Sequence, residues 1–69
     1  MELRKQLLQA TRSHALGHVE KHRMNVEVYL ENPTGIGEHS DILEAIEHEM
    51  MEMAKYQDVL DVLEGYFAE

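Results

Sequence analysis

The chain has 69 residues and no cysteine, and its 14 acidic side chains outnumber 6 lysines and arginines for a net charge of −8. That length allows one domain with a modest core, and the missing cysteines remove disulfides, thiolate zinc sites and cysteine nucleophiles. The acidity argues against nonspecific nucleic-acid binding, which needs cations to displace phosphate counterions, and no apolar run nears the roughly 18 residues of a membrane span.

The chain opens with "MELRKQLLQA", which lacks an apolar core followed by a small-residue cleavage site, so a cytoplasmic location is expected. From about residue 3 to 31 a first helix is predicted. Leu8, Arg12, Ala15, Val19, His22, Val26 and Tyr29 fall at alternating spacings of four and three, the period of a helix packed along one seam. Asn32 precedes the single proline, Pro33, and the residue before a proline avoids the α region, so this helix should stop near Glu31. Gly35 and Gly37 follow, marking residues 32–39 as a loop. A second helix is predicted from about 41 to 67, capped by Ser40 or Asp41, with Asp41 and Glu44 favoured by the helix dipole. Its seam is Ile42, Ile46, Glu49, Met53, Tyr56, Leu60, Leu63 and Phe67.

Two helices joined by a short loop pack as antiparallel neighbours, so the fold class is all-α, an antiparallel helical hairpin. With the loop centred near residues 35 and 36, partner numbers should sum to roughly 71. Val26 then falls by Ile46, Val19 by Met53, Leu8 by Leu63, and His22 by Glu49. The last two polar residues each interrupt an apolar seam, and pairing them avoids an uncompensated buried charge. A weaker apolar line lies off each seam: Val59, Val62 and Tyr66 with Met51 on the second helix, and Leu3, Leu7, Met24 and Val28 on the first. Val59, Val62, Tyr66, Leu3 and Leu7 are therefore the candidate contacts of a homodimeric four-helix bundle, with Gly17 marking a close helix crossing.

The stretch "SHALGHVEKH" spaces His14, His18 and His22 four apart, so His14 and His22 stand about 12 Å from each other along the axis. One ion, with bonds of about 2 Å, reaches at most two neighbouring histidines. The candidate metal set is His18 and His22 with Glu49. A packing role for the pair His22–Glu49 is the commoner meaning, and no metal or cofactor is expected. Ferritin-like di-iron helices use Glu-x-x-His, whereas this chain has Glu44 and His48 at a spacing of four, with His14 at the flank and His39 in the loop. Glu44, Glu47, Glu49 and Glu52 resemble the Glu-x-x-Glu magnesium motif of MazG-type nucleotide pyrophosphatases. Those enzymes add a later Glu-x-x-Asp on another helix, whereas Asp58 and Asp61 here share the same helix. "GIG" lacks the strand and lysine of a phosphate loop.

Charge is divided unevenly: residues 1–31 hold five cations against four acids, and residues 32–69 hold ten acids against Lys55 alone. The reading that follows is a non-enzymatic interaction module that dimerises and presents Glu44, Glu47, Glu52, Asp58 and Asp61 to a protein partner, without nucleic acid or membrane. A metal-binding bundle and a magnesium-dependent nucleotide pyrophosphatase are the alternatives.

The run "HALGHVEKHRMNVEVYLENPTGIGEHSDILEAIE" resembles small open reading frames of T4-like cyanophages and marine metagenomes. The likeness runs from about His14 to Phe67, and "NPTGIGEHSDI" is its most distinctive piece. No activity attaches to that group, so no site residue carries over. The resemblance implies expression inside an infected bacterium and a partner of host or phage origin.

Overall fold

The structure is a computed structural model that describes residues 2–32 and 41–68. Two helices form, α1 over Glu2–Glu31 and α2 over Ile42–Tyr66, and no strand occurs among the described residues. Asn32 closes α1, its N–H donating to the Val28 carbonyl at 3.0 Å. Residues 33–39 of the predicted loop, His39 included, lie outside the described residues.

The start of α2 follows from one side chain. Asp41 has an extended backbone, and its carboxylate accepts the Glu44 N–H at 3.1 Å while its carbonyl accepts the Ala45 N–H at 2.9 Å. Asp41 is therefore the cap, satisfying a donor that the first turn cannot pair internally. The helix ends one residue earlier than predicted, with Phe67 as its C-cap donating to the Leu63 carbonyl at 2.9 Å. Phe67 is consequently exposed instead of occupying the last seam position.

α1 and α2 pack against each other as a hairpin. Leu8 and Leu63 line one groove, Val19 and Met53 line another, and the Arg12 guanidinium stands 3.7 Å from the Glu64 carboxylate. All three are antiparallel; the first two follow the predicted register, and Arg12 reaches about one turn beyond it to Glu64. Ala15, Val19, Val26 and Leu63 are buried, and so is His22 at 8% exposure. The rest of the predicted seams are half-buried, apart from Phe67 and Arg12. Gly17 does not mark a close crossing within the hairpin, because a methyl group added there would meet no atom within 4 Å.

The molecule measures 53 × 16 × 15 Å, a rod built of two helices. Its radius of gyration is 15.7 Å, where a compact 69-residue chain would have about 11 Å. One apolar stripe per helix is the most such a shape can shelter, and twelve large apolar side chains stay exposed among the described residues.

Candidate functional site

The middle of the hairpin is organised around Glu49. Its Oε1 accepts two hydrogen bonds from α1, from His22 Nδ1 at 2.7 Å and from Asn25 Nδ2 at 2.8 Å. Both members of the His22–Glu49 pair are largely covered, with side-chain exposures of 11% and 13%. The hydrogen bond from His22, then that from Asn25, holds the Glu49 carboxyl below its ordinary range against the opposing effect of burial. His22 was legible as the partner from the register. Asn25 was not singled out, although it lies one turn beyond His22 on the same side of α1.

Next to this node the histidines form a stack with Tyr56 of α2. The His18 ring lies nearly parallel to Tyr56, with centroids 4.1 Å apart and planes 9° from each other. His14 stands 4.6 Å from His18 at 57°, and His22 stands 6.1 Å from it at 21°. Lys55 Nζ is 5.1 Å from the centre of the Tyr56 ring and 3.2 Å from Glu52 Oε1. His18 Nδ1 is inaccessible and accepts or donates no hydrogen bond. Burial, followed by the charges of His14, Lys21, His22 and Lys55, pushes His18 below its ordinary value.

His18, His22 and Glu49 are engaged in other contacts. The ring nitrogen of His22 that faces Glu49 is spent on its hydrogen bond, and His18 is turned onto Tyr56. Among the described residues no group of three or more histidines and carboxylates is placed to hold an ion. The four glutamates that resemble a magnesium motif are also dispersed. Glu44 and Glu47 are exposed, Glu49 faces α1, and Glu52 is half-buried beside Lys55. His48 is exposed on α2.

The acidic candidates separate in the same way. Glu44, Glu47, Asp58 and Asp61 are exposed, and Asp61 accepts a hydrogen bond from Gln57 at 3.3 Å. Glu52 belongs with the histidine side, where Lys55 holds its carboxyl below the ordinary range.

The apolar candidates gather at the open end of the hairpin, where the two termini meet. Leu3 and Leu7 share a groove with Leu8 and Phe67, and Val59 and Val62 share the adjoining one with the same two residues. Val59 is half-buried and Tyr66 is 80% exposed, its ring 6.4 Å from Phe67. Met24 and Val28 do not continue this patch. They line a separate hollow with Glu27, Glu31 and Asn32, about 31 Å farther along the same face of α1.

A longer apolar groove was not anticipated. It runs along the flank away from the histidines and is lined by Val19, Val26, Leu30, Met50, Met53 and Ala54, with Arg23, Glu27 and Gln57 at its margins. Its pattern is nonetheless in the sequence. Leu16, Val19, Arg23, Val26 and Leu30 alternate spacings of three and four, as do Leu43, Ile46, Met50, Met53, Gln57 and Leu60. Each helix thus carries a second heptad seam beside the first. The buried positions of the two seams overlap, which hid the second one.

Comparison with known protein families, curated proteins and solved structures finds no match for this chain. No helix of the described residues is long and apolar enough to cross a membrane.

Proposed function

We propose that this chain is a self-associating helical interaction module. Two hairpins pair into a homodimeric four-helix bundle, and the acid-rich α2 faces outward toward a basic protein partner, of host or phage origin. One observation carries the reading: among the described residues four apolar side chains are buried while twelve large ones are exposed. The chain exposes 5457 Å², roughly 1,000 Å² more than a globular monomer of 8.0 kDa. A standard protein interface covers about 800 Å² per partner, so a second hairpin accounts for the excess.

Sedimentation equilibrium at micromolar concentration tests the association. The expected mass is twice 8.0 kDa, with a melting midpoint that rises with protein concentration. A folded single chain with a concentration-independent midpoint would overturn it. The acidic face is tested by capture from infected cells with the wild type and a Glu44→Lys, Glu47→Lys, Asp58→Lys variant. A partner retained equally by both rules that face out.

A further inference from the structure

We infer that the second copy seats on the Leu30–Met50 groove, on the flank opposite the histidines, and not on the open-end patch or the histidine side. This assignment rests on the homodimer reading above. Three features separate the groove from the other surfaces. Its central position comes first: its lining runs from Val19 to Leu30, about 17 Å of α1, and from Met50 to Gln57, about 11 Å of α2, in the middle of the hairpin. The open-end patch, from Leu3 to Thr11 on α1 and Asp58 to Phe67 on α2, lies at one end of the rod, so two copies meeting there would leave Leu30 and Met50 in water, where the single hairpin exposes them by 58% and 50%.

The second feature is charge. A two-fold axis sets each surface against itself, so like charges on one face repel and mixed charges attract. Arg23, held by Glu20 at 3.0 Å, and Glu27 both border the groove, so its margin carries both signs and not a single one. On the outer face of α2 the exposed Glu44 and Asp58, two heptads apart, would face their own copies. The third feature is saturation. The histidine side already spends Glu49 on His22 and Asn25, and stacks His18 on Tyr56. The groove has apolar walls, and none of the described residues is laid across them.

Leu30→Glu and Met50→Glu, each compared with Val62→Glu at the open end, form the test. All three positions are about half exposed in the single hairpin, so helicity should survive. Sedimentation equilibrium should give single chains for the two groove variants and a dimer for Val62→Glu. If a glutamate variant loses its helical circular dichroism, Leu30→Gln and Met50→Gln take its place, and the dimer dissociation constant should rise at least about tenfold. Dimers that survive both groove substitutions, or that dissociate on Val62→Glu, overturn the assignment of the face while the dimer stands. A wild type that sediments as one chain removes both.

Discussion

His22 and Glu49 meet across the hairpin at 2.7 Å, and Asn25 reaches the same carboxylate oxygen at 2.8 Å. An apolar seam with one polar rung is aligned by that rung. Sliding α2 along α1 by one turn would leave Glu49 among aliphatic side chains, and a buried carboxylate without donors is costly.

Replacing Glu49 should therefore cost more than deleting its contacts. Glu49→Ala strands His22 and Asn25 together and should lower stability by about 2 kcal/mol in chemical denaturation. Glu49→Gln, which keeps an acceptor oxygen, should cost about half of that. In the cycle with His22→Ala the coupling should be about 1 kcal/mol, and additive losses would show that the pair contributes nothing jointly.

Stability should fall as the solution is acidified, in two stages. The folded state holds His18 below its ordinary value of 6.5 through burial first, so it binds fewer protons there than the unfolded chain. That contribution is complete above 6.5 and is lost as pH falls through the lower folded value. Glu49, held below its ordinary value of 4.5 by His22 and then Asn25, adds a second loss at more acidic pH. His18→Phe keeps a ring against Tyr56 and removes the buried Nδ1, so it should raise the melting midpoint and erase the first stage alone. An unaltered profile between pH 7 and 5.5 would contradict this assignment.

At Gly17 a methyl group enters open space inside a 30-residue helix. Gly17→Ala should gain about 1 kcal/mol, because glycine in a helix interior loses more backbone freedom on folding than alanine does. Loss of stability on thermal unfolding would instead place a neighbouring backbone against this position.

Asp41 is the only side chain that caps the described start of α2. Asp41→Ala should cost about 1 kcal/mol, and Asp41→Asn should recover most of it. Equal losses for the two variants would assign the effect to charge at the helix dipole and not to the hydrogen bond.

The all-α hairpin, its register and the His22–Glu49 rung were all legible in the amino-acid order. Helical periodicity records which side of a helix is covered, and a loop of known length fixes which residues face each other. Tertiary placement was needed wherever several residues compete for the same surroundings. Asn25 joins Glu49 and His18 settles on Tyr56 because packing leaves those directions open, which spacing along one helix does not encode. The shape of the exposed grease was likewise decided in three dimensions. Leu30 meets Met50 in one groove because adjacency between helices depends on their relative rotation as well as on each one's own period.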